Sequence, residues 1–150
     1  PEGRWVAKSS VGDDVLVPDG AILVAAQGTL GESELFCRSE YITGKNLERA
    51  YSQHFLRVIA DKDVIERGAL FAFMRSETAF RMLRSASTGS KLQDFHYSVL
   101  PSLPIPYPKQ DVRARCHELV VEAYMARERA IELEDEARSL VERTIEEAGR

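Results

Sequence analysis

The sequence predicts an α+β fold: a small mixed α/β head over residues 1–108, followed by one long C-terminal coiled-coil helix over 109–150. Three observations carry that prediction. Up to about residue 60, apolar runs of strand length alternate with turn-forming Asp, Gly and Ser. Residues 63–85 then change to a helical period. From Gln110 to Glu147 there is neither Pro nor Gly, and apolar or small side chains recur at alternating four- and three-residue steps. A chain of 150 residues, 44% hydrophobic and 29% charged, has the size and composition of one folded domain. No apolar run approaches the roughly 18 residues that a membrane span needs, so no membrane partner is expected. The opening Pro1-Glu2-Gly3-Arg4-Trp5 lacks an initiating Met and resembles no signal peptide, which predicts a cut or trimmed N-terminus.

In chain order, the Asp19-Gly20 turn pair precedes Ala21–Ala26, a continuous apolar run that predicts a buried strand. Gly28-Thr29-Leu30-Gly31 breaks it, with Gly28 and Gly31 bracketing a turn where positive φ or close approach is expected. Leu35–Arg38 resumes the extended pattern, and His54–Ala60 predicts a strand buried on at least one face. Val64, Ile65, Gly68, Leu70, Phe71, Phe73 and Met74 fit a helix from Asp63 to Arg75, with Asp63 as its cap. Phe80, Met82 and Leu83 predict a second short helix, ended by the polar loop Ser85-Ala86-Ser87-Thr88-Gly89-Ser90. A short strand at Leu92–Phe95 and a helical turn at Tyr97–Leu100 follow. Three prolines in Leu103–Pro108 exclude both helix and central strand there.

The last segment is the most regular. Val112, Cys116, Leu119, Ala123, Ala126, Ala130, Leu133, Ala137, Leu140 and Thr144 form one unbroken seam. A helix over 110–147 is about 57 Å long at a rise of 1.5 Å per residue. The alanines predict close approach of a second helix, either in the same chain or in another copy. The competing expectation is that this helix lies along its own head.

Charge divides the chain. Residues 1–110 hold 13 basic and 13 acidic side chains, and residues 111–150 hold 7 and 11, which accounts for the net charge of −4 (7 − 11). Within the neutral part, residues 67–96 carry Arg67, Arg75, Arg81, Arg84 and Lys91 against only Glu77 and Asp94, a local excess suited to phosphates. Enzyme signatures are missing: no Gly-Lys-Ser/Thr follows Gly31, and there is neither a dinucleotide fingerprint nor a Gly-x-Ser-x-Gly elbow. Pro106-Tyr107-Pro108 lacks the acidic or amide residue of an amino-methyltransferase motif, so no S-adenosylmethionine site is predicted. His54, His96 and His117 lack metal-ligand spacing, and Cys37 and Cys116 form neither a zinc motif nor a disulfide framework. Two free thiols suit a reducing cytoplasm. The reading is therefore of a non-enzyme with no cofactor and no metal.

Asp19-Gly20-Ala21-Ile22-Leu23-Val24 followed by Gly28-Thr29-Leu30-Gly31 resembles the Gly-Asp-Ile-Leu…Gly-Thr-x-Gly stretch of target-recognition domains in type I restriction–modification specificity subunits. The order of elements over roughly residues 19–148 is similar too: two helices, the Thr88-Gly89 loop, Leu103–Pro108, then a long charged helix. The family often has Glu-Gln after the last proline, where this chain has Lys109-Gln110-Asp111. The resemblance implies a DNA-recognition (target-recognition) domain over 1–108 that reads one half of a split double-stranded DNA site. It further implies a 109–150 helix that spaces a second recognition half or a self-dimer and docks methyltransferase (modification) subunits, with restriction subunits as possible further partners. Catalysis would belong to those subunits.

The expected DNA-contacting set is Thr29, Lys45, Arg75, Arg81, Arg84, Ser87, Thr88, Ser90, Lys91 and Gln93. Gln93 suits adenine, Arg or Lys suits guanine, and the hydroxyls suit phosphates or base edges. Arg67 and Arg75 have an alternative in ion pairs with Glu66 or Glu77. The helix-pairing set is Val112, Leu119, Ala123, Ala126, Ala130, Leu133, Ala137 and Leu140. Two other functions stay open: a coiled-coil scaffold whose head binds protein, and the recognition end of a fused restriction–methyltransferase.

Overall fold

The computed structural model describes residues 5–149, and the Pro1–Arg4 opening lies outside them. The fold is α+β, as the sequence predicts. Three antiparallel strands, β1 (Ala21–Ala25), β2 (Ser39–Ile42) and β3 (Phe55–Val58), form a sheet in the order β2-β1-β3. The continuous apolar run supplies the central strand because that strand is covered on both faces. Ile22 and Val24 point to one side, with Tyr41, Leu70, Phe71, Met74, Phe80 and Phe95. Ala21 and Leu23 point to the other, against Val17 and Ile42. Each large side chain buried there contributes about 1.5–3 kcal/mol.

Two helices cover the larger core. α1 (Arg67–Met74) begins four residues later than the sequence predicts, with Glu66 and not Asp63 at its N-cap. The reason is local. Asp61 takes the Asp63 amide on its side chain and the Val64 and Ile65 amides on its carbonyl, closing a separate turn before the helix. α2 (Glu77–Ser85) starts under Ser76, whose hydroxyl accepts the Ala79 amide at 3.2 Å. Beyond it, the expected 85–90 loop is in part a hairpin of β4 (Ser87–Thr88) and β5 (Asp94–Phe95). Gly89 turns it at φ +116°, where an added Cβ would stand 2.4 Å from the Leu92 carbonyl oxygen. Leu35–Arg38 is not a strand: β2 begins at Ser39, although Cys37, at φ 69° in the turn before it, donates to the Ala25 carbonyl and the Arg38 carbonyl accepts the Ala25 amide, both at 2.9 Å. The helical turn expected at Tyr97–Leu100 falls instead at Leu100–Ser102.

α3 (Gln110–Ala148) is one helix of 39 residues. Its first half is part of the head. Arg113, buried to 9% exposure, bonds Glu66 at 3.0 Å and the Pro108 carbonyl at 2.8 Å, with its guanidinium 4.0 Å over the Tyr107 ring. Gly68 lets the α1 backbone approach so closely that its amide donates to His117 Nδ1 at 3.2 Å. Further along, Val120 and Tyr124 pack onto the core. The Tyr124 ring lies 5.1 Å from Tyr41 and 5.6 Å from Phe71, and its hydroxyl reaches Glu40 at 3.2 Å. From residue 129 to 149 every side chain is exposed.

The expectation that the helix lies along its own head is met for its first half. The helix docks through Arg113, His117, Val120, Tyr124 and Glu128, a stripe about a third of a turn away from the predicted seam. The seam itself faces outward: Val112, Leu119, Leu133 and Leu140 are 45%, 48%, 48% and 59% exposed, and Ala123, Ala126, Ala130 and Ala137 are exposed with them.

Candidate nucleic-acid interface

Four of the residues predicted to meet DNA, Thr29, Thr88, Ser90 and Lys91, are brought together by a clamp between two loops. Gly28 and Gln93 exchange both backbone hydrogen bonds, at 3.2 and 2.8 Å, in an isolated antiparallel bridge. Gln27 reinforces it with a bond to Asp94 at 2.9 Å. Packing explains Gly28, since a Cβ there would press on Phe36 Cβ at 3.2 Å, and Phe36 stacks on Phe95 at 5.3 Å. Positive φ does not: Gly20, Gly44 and Gly89 are the glycines in that region among the described residues, so of the two expected alternatives close approach holds at Gly28, while Gly31 meets only the Glu34 side chain. The clamp sets the 28–35 loop beside the 88–93 loop at one end of the head. Thr29, Thr88, Ser90 and Lys91 are exposed on these loops, along with the apolar Leu30 and Leu92.

Gln93 does not belong with them. It is 4% exposed, and its amide nitrogen donates to the Gly89 and Ser90 carbonyls at 3.0 and 3.2 Å, which locks the β4–β5 turn. The sequence marks it as a reader because an amide in a polar loop suits adenine; the fold spends that amide on the loop itself. Ser87 is similarly turned inward, its hydroxyl donating to the Arg84 carbonyl at 2.7 Å.

The arginines are engaged within the protein. Arg81 grips the Glu32 carboxylate with both terminal nitrogens, at 2.7 and 2.9 Å, and bonds Glu77 at 2.6 Å through Nε. Arg84 donates to the Gly31 carbonyl, lies 3.7 Å from Glu32 and stacks 4.2 Å from the Phe80 ring centre. Arg38, absent from the predicted set, stacks 3.7 Å from the same ring and donates to the Glu32 carbonyl at 2.6 Å. The Arg81 hydrogen bond holds the Glu32 carboxyl below its usual range. No periodicity signals Arg38 or Glu32, because their meeting depends on how the 28–38 segment folds back over α2.

Lys45 and Arg75 lie apart from the loops. Lys45, in the helical turn Gly44–Glu48, shares an open groove of about 700 Å³ with Glu132, Asp135, Glu136 and Arg143 of α3. Arg75 bonds the Ser39 carbonyl at 3.0 Å and lies 3.7 Å from Glu40, not from Glu66 or Glu77. Arg67 pairs with Asp19 at 2.6 Å. A second cavity, of about 340 Å³, is bounded by Ser33, Arg38, Ser39, Arg75 and Phe80. Cys37 also lines it, but burial pushes its thiol up to about 12, so it is protonated and poorly nucleophilic at neutral pH. Among the described residues no three His, Cys, Asp or Glu side chains converge as a metal site, and no helix is long and apolar enough to cross a membrane. No protein-family model and no curated protein matches the chain.

Proposed function

We propose that the protein is a non-catalytic DNA-recognition module of the kind found in type I restriction–modification specificity subunits. The clamped 28–35 and 88–93 loops contact one half-site of a duplex, and the helical arm docks modification subunits and a second recognition half. The observation that carries this reading is the arm. Its first half is bonded rigidly to the head, while a second, apolar stripe is left open along its whole length and across the overhang of 129–149. A recognition unit that must hold a fixed distance to another unit needs such a rigid spacer with an unpartnered seam. Thr29, Thr88, Ser90 and Lys91 supply hydroxyls and a cation suited to phosphates and base edges, and Leu30 and Leu92 supply apolar contact. The reading places the chain in the cytoplasm, where Cys37 and Cys116 stay reduced.

One observation favours a second reading, a coiled-coil scaffold whose head binds protein. Arg67, Arg75 and Arg81 are paired with Asp19, Glu40 and Glu32, which removes most of the basic excess seen in the sequence. Selection from a random duplex pool separates the two. The chain, alone and with a type I modification subunit, is expected to enrich one short motif in the presence of that subunit. A pool that stays random under both conditions would favour the scaffold.

A further inference from the structure

Three guanidiniums surround Glu32: Arg81 grips its carboxylate, Arg84 lies 3.7 Å from it, and Arg38 donates to its main-chain carbonyl at 2.6 Å. Arg81 and Arg84 come from α2 and Arg38 from the turn before β2, so separate parts of the chain build the cluster. Phe80 fixes two of them, with Arg38 and Arg84 stacked on its ring at 3.7 and 4.2 Å. That scaffold does not depend on Glu32, since Phe80 is 2% exposed and anchored in the core. The Arg84 side chain is only 13% exposed, and its Nε is buried with no partner. Three arginines against Glu32 and Glu77 leave a local charge of +1 (3 − 2), rising to +2 if Glu32 swings away. Glu32 is free to do so. Its side chain is 65% exposed, and it sits in a loop outside any helix or strand. Beside it lies the 340 Å³ cavity lined by Ser33, Glu34, Arg38 and Arg75 among others, which offers room.

We propose that Arg38, Arg81 and Arg84 form a phosphate-binding site that the Glu32 carboxylate fills in the free chain, and that a phosphate group binds by displacing it. A bidentate guanidinium fork fits phosphate as well as carboxylate, and a doubly charged or bridging phosphate reaches more donors than one carboxylate does. The ligand chemistry is a phosphate group. Its source as a DNA backbone rests on the recognition reading above, whereas a free phosphate does not. Because Glu32 belongs to the same loop as Thr29, displacement would couple phosphate capture to repositioning of the base-contacting edge.

The test is a pair of NMR titrations on the wild type, Glu32→Gln and the double variant Glu32→Gln/Arg81→Gln. One series adds inorganic phosphate at constant ionic strength and the other adds a short duplex, with the arginine Nε–H signals as reporters. Glu32→Gln removes the internal competitor conservatively, and amide spectra establish that it is folded. It should bind inorganic phosphate about three- to tenfold more tightly than wild type, with shifts at Arg38, Arg81 and Arg84, and the double variant should lose that gain. On duplex, Glu32→Gln should also steepen the slope of log affinity against log salt by about 0.9, one added phosphate contact. Tighter phosphate binding without duplex binding would uphold the site and overturn the DNA reading. Unchanged phosphate affinity, or shifts away from the three arginines, would overturn the site whatever the duplex does.

Discussion

At the scale of single residues, contact between helix backbones decides more than polarity does. A Cβ on Gly68 would stand 2.8 Å from His117 Cα and 2.9 Å from its carbonyl oxygen, so α1 and α3 meet there with no room for a methyl group. Gly68→Ala should destabilise the fold by about 1–3 kcal/mol, read as a lowered denaturant midpoint. Gly31→Ala meets only the flexible Glu34 side chain and should change stability by less than about 0.5 kcal/mol. Equal effects would show that the helix contact is not tight. The pH dependence is equally local. The Glu66 carboxyl is held low by its own backbone amide and by Arg113, and Glu32 by Arg81. Groups lowered in the folded state stabilise it above their unfolded value, about 4.3, and lose that contribution as pH falls through the folded one. The melting temperature should therefore hold from pH 7 to about pH 5 and fall below about pH 4. Glu66→Gln should flatten that fall, and an unchanged acid limb would contradict the pairing. The sequence shows the charges of these residues but not their partners, which come from segments up to 49 positions away, as with Arg81 and Glu32.

At the scale of elements, α3 carries two faces, and only one was legible. The seam from Val112 to Leu140 declares itself because its members are uniformly apolar or small. The face that docks on the head is built from Arg113, His117, Val120, Tyr124 and Glu128, whose mixed chemistry leaves no hydrophobic period to find. The continuous run of β1 could be read for a similar reason: a strand covered on both faces needs no polar residues. β2 hid because its pattern begins after the Cys37 turn. The two helix faces should respond oppositely to substitution. Tyr124→Ala removes a ring packed between Tyr41 and Phe71 and should cost about 2–4 kcal/mol of stability without changing assembly. Leu133→Glu/Leu140→Glu alters side chains that are 48% and 59% exposed, so the melting temperature of the chain alone should scarcely move. Sedimentation of the assembled state should show a smaller species, or loss of modification-subunit docking. Unchanged mass and docking would leave the seam a merely solvated surface.

At the scale of the whole molecule, the net negative charge lies in the arm. Residues 111–150 carry the net −4 (7 − 11), and residues 1–110 are neutral (13 − 13). Much of the head's cationic charge is internally paired, so affinity for duplex must come from a few contacts at the clamped loops and not from a broad basic surface. A shallow salt dependence follows, on the order of two to four phosphate contacts per head. The central claim is that this loop end meets DNA, and the most direct measurement is duplex binding against salt concentration for the assembled complex carrying wild-type or Lys91→Ala heads. Weaker binding to every duplex and a slope lowered by roughly 0.9 are expected. A variant that keeps both the affinity and the slope of the wild type would contradict that claim.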